Sequence, residues 1–183
     1  MKLRKVWPHI LFAILVGVFV LSNNSDLISN KFNFSSPNAE VNKTTAQVLR
    51  VVDGDTIEVS LSGKKETVRL IGIDAPEAVD PREAVKCFGK EASDKAKEIL
   101  NGETITLESD PTQRDRDRYG RLLRYIFINS LNFNKFMISS GFAHEYTYQS
   151  NPYKYQLEFI EAQKSARENK KGLWADMVKC SYE

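Results

Sequence analysis

Residues 51–77 constrain the fold of this chain more than any other stretch. They read Val51-Val52-Asp53-Gly54-Asp55-Thr56-Ile57, pass a polar turn near Ser62-Gly63-Lys64, and continue as Val68-Arg69-Leu70-Ile71-Gly72-Ile73-Asp74-Ala75-Pro76-Glu77. Apolar, β-branched blocks end in acids. An Asp-Gly pair between β-branched residues signals a tight hairpin, because such residues accept positive φ cheaply. Strands of this length bring Asp55, Asp74 and Glu77 to one rim of a sheet. Arg69 is the one cation inside the third strand, where a charge without a partner is costly to bury. It therefore either pairs with an internal acid or binds phosphate. Three carboxylates and an arginine at one spot suit metal-assisted phosphate chemistry.

The flanking sequence divides the chain. Lys2, Arg4 and Lys5 precede an apolar run at 10–21. A basic head and a run of this size read as an export signal. The run is shorter than the ~20 residues that span a bilayer comfortably, although Trp7 extends it. Two readings of 1–22 stay open: a cleaved signal, or an N-terminal membrane anchor through residues 7–21. Either puts the rest of the chain outside the cytoplasmic membrane, secreted or attached to its outer face, since positive charge before the run holds the N-terminus inside. Residues 23–43 are rich in Asn, Ser and Lys without apolar periodicity and read as a flexible linker. The domain occupies 44–176, and 177–183 is a tail. Losing the leader's three cations takes the net charge from +2 to −1. Any nucleic-acid binding must then come from a local basic patch rather than from overall charge.

Within the domain, strands are expected at 45–52, where β-branched residues meet few breakers, at 55–61 and 104–108, where apolar and polar residues alternate, and at 67–73 and 122–128. The third is apolar on both faces, as in a central strand or a closed barrel, and Gly72 marks a bulge that re-aims it toward Asp74. Phe88, Ala92, Ala96 and Ile99 recur at helical spacing before Asn101-Gly102. A short helix at 132–140 is stopped by Gly141. A last helix at 155–169 turns Tyr155, Phe159, Ala162 and Ala166 inward, after which Leu173 and Trp174 pack back on the barrel. The fold class is α+β, mainly β: a five-stranded Greek-key barrel of the oligonucleotide/oligosaccharide-binding (OB-fold) type with three helices. Such barrels often bind nucleic acid on one face.

Four motifs resemble the thermonuclease (staphylococcal nuclease-like) family: Val52-Asp53-Gly54-Asp55-Thr56, Arg69 through Glu77, Phe88-Gly89-Lys90-Glu91-Ala92, and Asp117-Arg118-Tyr119-Gly120-Arg121. The Gly172-Leu173-Trp174 ending is similar too. The resemblance covers about 45–174. It implies a calcium-dependent endonuclease that cuts DNA and RNA to 3′-phosphate ends, a monomer with no obligate protein partner. By the same resemblance, Asp55 and Asp74 are calcium carboxylates and Ala75 supplies the metal's backbone carbonyl, where the family often has Thr. Arg69 and Arg121 bind phosphate, and Glu77 is the acid proposed as general base, by removing a proton from water or only orienting it. Tyr119 lies near the nucleotide. Tyr146 and Tyr148 are further nucleotide contacts, although the spacing after Gly141 departs from the family pattern.

The competing function is a catalytically inactive OB-fold module that only binds nucleic acid or protein. The presence of Asp55, Arg69, Asp74, Glu77 and Arg121 together favours the enzyme over it, and over a purely structural surface module. The enzyme reading requires the start of the fifth strand to sit beside the rim of the third, with Arg121 and Arg69 facing one pocket. Other residues read as structural. Asp53 is a turn former or a support for the site. Arg114 and Arg116 belong to a solvated, self-paired loop, His144 is structural, and Lys164, Arg167, Lys170 and Lys171 form a polar helix face. Two cysteines, Cys87 and Cys180, are too few for a zinc site. In an exported domain they suggest a disulfide tying the tail to the loop before the first helix.

Overall fold

The computed structural model describes residues 42–76 and 88–175. The proposed leader, most of the linker, Glu77, Cys87, Cys180 and the tail lie outside the described residues.

Five strands carry the architecture: β1 (Lys43–Val51), β2 (Thr56–Leu61), β3 (Lys64–Leu70), β5 (Thr104–Glu108) and β6 (Leu122–Ile128). β1 pairs antiparallel with β2 and β5, β2 with β3, and β5 with β6. A parallel β3–β6 pair, Val68 opposite Leu122 and Arg69 opposite Leu123, closes the barrel. That closure leaves no edge open between the first and last long strands. Three two-residue strands were not legible in the sequence: β4 (Ile73–Asp74), β7 (Leu131–Asn132) and β8 (His144–Glu145). β4 and β8 pair with each other away from the barrel. Among the described residues, three α-helices accompany the barrel: α1 (Gly89–Leu100), α2 (Phe133–Ser139) and α3 (Gln156–Glu168).

Alternation places the core. On β2, Ile57 and Val59 point inward, and on β3, Val68 and Leu70 do so. On β1 the inward residues are Ala46, Val48 and Val51, a break in the period-2 rule. The register shifts between Val48 and Arg50, so one extra residue turns Val51 back to the interior. α1 buries Ala92, Ser93, Ala96 and Leu100, a stripe one position away from the one that Ile99 suggested. α3 buries Phe159, Ala162 and Ala166 as its periodicity predicts. Leu173 is buried and Trp174 meets His144 edge-on at 5.0 Å, so the helix-ending segment does fold back. Each fully buried large side chain such as Phe133, Phe159 or Leu107 contributes about 1.5–3 kcal/mol of hydrophobic stabilisation.

Two glycines act differently from their sequence reading. Gly54 is not a positive-φ hairpin residue. It provides room: a Cβ there would lie 2.6 Å from the Ala75 Cβ and 3.2 Å from the Ala92 Cβ. Gly72 makes no bulge. With φ +77 it forms a turn that ends β3 and starts β4, under a Tyr153 ring that a Cβ would meet at 2.6 Å.

Candidate active site

The loop between β1 and β2 presents Asp55. Asp53 accepts the Asp55 N–H at 2.9 Å, an Asx turn that fixes the loop. The Asp55 carbonyl accepts from Leu70 N at 2.9 Å, tying the loop to the end of β3. Asp55 is buried (6% exposed) and its carboxylate is well satisfied. Its Oδ1 accepts from Thr56 Oγ1 at 3.0 Å, and its Oδ2 from the Ala75 N–H at 2.8 Å.

Arg69 stands between Val68 and Leu70, so the pleat turns it away from the core that they enter. The cost of holding its charge at 15% side-chain exposure is met by four acceptors. Nη1 donates to the carbonyls of Leu70 and Ile73 at 2.9 and 2.8 Å. Nη2 reaches Asp55 Oδ2 and Asp74 Oδ1, each at 3.1 Å. Two carboxylates, one from the β1–β2 loop and one from β4, therefore converge on one cationic nitrogen. Asp74 gets there because Gly72 turns the chain and β4 pairs with β8, setting Asp74 opposite His144.

Arg121 enters from the other side of the parallel pair. It immediately precedes β6, whose Leu122 is registered with Val68, the neighbour of Arg69. Asp117 holds it: Oδ2 accepts from Arg121 Nε at 2.6 Å, and Oδ1 accepts the N–H groups of Tyr119 and Arg121 at 2.9 and 3.0 Å. Burial alone would raise the Asp117 carboxyl pKa, but the Arg121 side chain and these two N–H donors outweigh it and hold the group below its ordinary value. The Arg121 guanidinium lies 5.4 Å from the centre of the Tyr119 ring, and that of Arg118 lies 4.7 Å from it.

Arg69, Asp74, Arg121, Tyr119, Tyr146 and Tyr148 line one cleft of about 890 Å³. Asp55 and Ala75 are not on its wall; they sit behind Arg69, joined to each other and to it. The cleft wall carries five arginines against two aspartates, a local positive patch on a nearly neutral domain. Tyr119, Tyr146 and Tyr148 are among the most exposed large side chains, and the Tyr146 and Tyr148 rings stand 6.4 Å apart. Exposed aromatics along a basic groove suit stacking of successive bases. Glu77 lies outside the described residues, so the geometry concerns the other members of the set.

The family model for staphylococcal nuclease homologue matches residues 67–176. A thermonuclease of Staphylococcus hyicus is 39% identical over 91% of this chain and 96% of its own length. The chain belongs to the staphylococcal nuclease family. An endonuclease of Bacillus subtilis, YncB, is 34% identical over 83% of this chain and 75% of its own. A thermonuclease of Staphylococcus intermedius is 36% identical over 77% and 82%.

Several structural residues of this family member escaped the sequence reading. Asp117 lay inside a quoted motif but without a role; its i,i+4 spacing to Arg121 was the available signal. Tyr153 is buried against Gly72, donating to Glu145 Oε1 at 2.9 Å, and burial followed by that bond raises its pKa. Nothing in its local pattern separated it from its exposed neighbours. Arg116 pairs within its own loop, with the Gly120 carbonyl at 2.8 Å and Asp115 at 4.0 Å, and it also reaches beyond it. It makes a two-pronged ion pair with Glu66 on β3, at 2.8 and 3.0 Å. Arg114 lines the cleft. His144 packs edge-on against Trp174, and burial, then the nearby Arg167, lowers its pKa.

Proposed function

We propose that this protein is a calcium-dependent endonuclease that hydrolyses phosphodiester bonds of DNA and RNA to 3′-phosphate products. The observation that carries the reading is the convergence of Asp55 and Asp74 on Arg69 at the edge of a basic, tyrosine-lined cleft that Arg121 shares. The donor set fits calcium. Two carboxylates and the Ala75 carbonyl would offer hard oxygens, and the carboxylates gather around the Arg69 charge. Asp55, Asp74 and the Ala75 carbonyl would hold the ion. When bound, calcium supplies a hard positive charge that polarises a phosphoryl oxygen.

The chain's own residues account for the remaining chemistry. Arg69 and Arg121 bring planar, permanently charged donors to the phosphoryl oxygens, where charge grows in the transition state. The cleft tyrosines hold the bases. Glu77, three residues beyond Asp74, takes a proton from the attacking water or orients it. Water adds to phosphorus and the P–O5′ bond breaks, leaving a 3′-phosphate and a 5′-hydroxyl.

The leader at 1–22 exports the domain, as a cleaved signal or as an anchor. In that oxidising location Cys87 and Cys180 form a disulfide, worth up to ~4–5 kcal/mol in the chain-entropy model for so long a loop. Labelling that finds two free thiols in exported, non-reduced protein would refute the bridge. The test of the activity uses protein from about residue 41 onward with single-stranded DNA and RNA. Cleavage with calcium and none with chelator is expected. Binding without cleavage under both conditions would instead establish an inactive binding module. Glu77→Gln is expected to lose most turnover yet bind DNA, and parent-rate cutting would remove Glu77 from the mechanism.

A further inference from the structure

The arginines of the 114–124 stretch are not equivalent. Arg116 is paired with Glu66, Arg121 with Asp117 and Arg124 with Asp115. Arg118 is spent on Tyr119, over its ring and against its hydroxyl. Arg114 alone of the five has neither an acid nor an aromatic partner among the described residues, and it is exposed. It nevertheless lines the same cleft, on the wall formed with Gln113, Gln149 and Asn151.

The backbone that presents Arg114 is anchored. Asp110 is buried, and its carboxylate accepts from Thr112 N and Oγ1 at 2.8 Å, from Tyr125 Oη at 2.6 Å and from Lys154 N at 2.8 Å. Gln113 Nε2 donates to the Pro152 carbonyl at 2.9 Å, and Asn151 Nδ2 donates to the Thr112 carbonyl at 3.2 Å. These bonds fasten the loop before Arg114 to the segment that carries Tyr148. The Arg114 backbone is thereby kept beside the segment that carries the exposed Tyr148, on a cleft large enough for more than one nucleotide. OB-fold surfaces commonly take ~4 or more nucleotides.

We propose that Arg114 forms a phosphate subsite for a nucleotide flanking the scissile one, on the Tyr148 side of the cleft. It makes the enzyme favour longer single strands over very short ones. This rests on the nuclease reading above. Arg114 makes no contact with the reacting phosphate; it adds one backbone contact that a short substrate does not reach. Such a contact is electrostatic and independent of sequence.

The test compares the parent with Arg114→Ala and Arg114→Lys. Cleavage of a trinucleotide and of a 12-residue oligothymidylate is measured with calcium, and binding of the labelled 12-mer is measured with chelator as salt is varied. For R114A, kcat/KM on the trinucleotide should stay within about twofold of the parent, while kcat/KM and affinity for the 12-mer fall about five- to tenfold. The slope of log affinity against log salt should shrink by ~0.7, the value for one phosphate contact on a single strand. R114K should retain most of both. A parent-like R114A on the 12-mer, or an equal loss on both lengths, overturns the subsite and leaves the nuclease standing. A parent that neither binds nor cuts overturns the nuclease reading, and the subsite with it.

Discussion

Replacing Asp117 by asparagine separates the charge that holds Arg121 from the turn that carries it. In the parent, Oδ1 accepts the Tyr119 and Arg121 N–H groups at 2.9 and 3.0 Å, while Oδ2 accepts Arg121 Nε at 2.6 Å. The amide oxygen of Asp117→Asn can keep the first two bonds, but its NH₂ cannot accept the third. A hydrogen bond to a charged group contributes about 1.5–3 kcal/mol. The Arg121 side chain is 30% exposed, so water screens the pair and about 1 kcal/mol is the reasonable net value. If Arg121 acts on the transition state, that loss of placement lowers kcat about fivefold, with KM nearly unchanged. Asp117→Ala removes all three bonds and loses roughly a further 2 kcal/mol of stability at about 1 kcal/mol per neutral bond. Urea unfolding followed by tryptophan fluorescence should place D117N within about 0.5 M of the parent midpoint and D117A roughly 1 M or more below it. The carboxyl also has an acid signature. Its folded-state pKa lies below the ordinary 3.8, so its contribution is present above that pH and is lost as pH falls through the lower folded value. D117N abolishes that acid limb. A D117N enzyme with parent kcat, or D117N and D117A of equal stability, would refute the positioning role.

Three further outcomes follow from particular contacts. Gly54→Ala forces a Cβ to 2.6 Å from Ala75; overpacking of this kind costs about 1–3 kcal/mol, and calorimetric titration should also show weaker calcium binding because Ala75 is displaced. Glu108 is fully buried, with Lys43 and Lys154 at 3.1 and 2.7 Å. Burial raises its pKa, but the bonds from Lys154, Tyr155 and Lys43 prevail and lower it. Its stabilisation is therefore present above the ordinary 4.5 and lost as pH falls through the folded value, and Glu108→Gln should flatten Tm against pH below 4.5. Tyr148→Ala removes an exposed ring; single-stranded DNA binding should weaken by about 1–3 kcal/mol in anisotropy titrations while Tm stays unchanged.

The sequence by itself determined the strand-and-helix order and much of the core. The alternating pattern at 104–108 and the apolar run at 122–128 coincide with β5 and β6, and the 3.6-residue pattern at 155–169 contains α3. Such periodicity is legible because each element must bury one face, whatever it packs against. It also supplied the motifs that gather acids and arginines in the right order. Only the tertiary structure decided which of these side chains meet. The two-residue strands β4 and β8 are too short to leave a period, yet their pairing aims Asp74 at Arg69. The parallel β3–β6 closure brings Arg121 beside the strand of Arg69 from more than fifty residues away. Partner choice among the arginines was likewise hidden, since Arg116 finds Glu66 across the barrel surface while Arg114 faces the cleft. Gly54 shows the same limit in one residue. A local turn rule assigned it a dihedral preference, whereas its real constraint is the space taken by Ala75 and Ala92, which only a folded barrel brings against it.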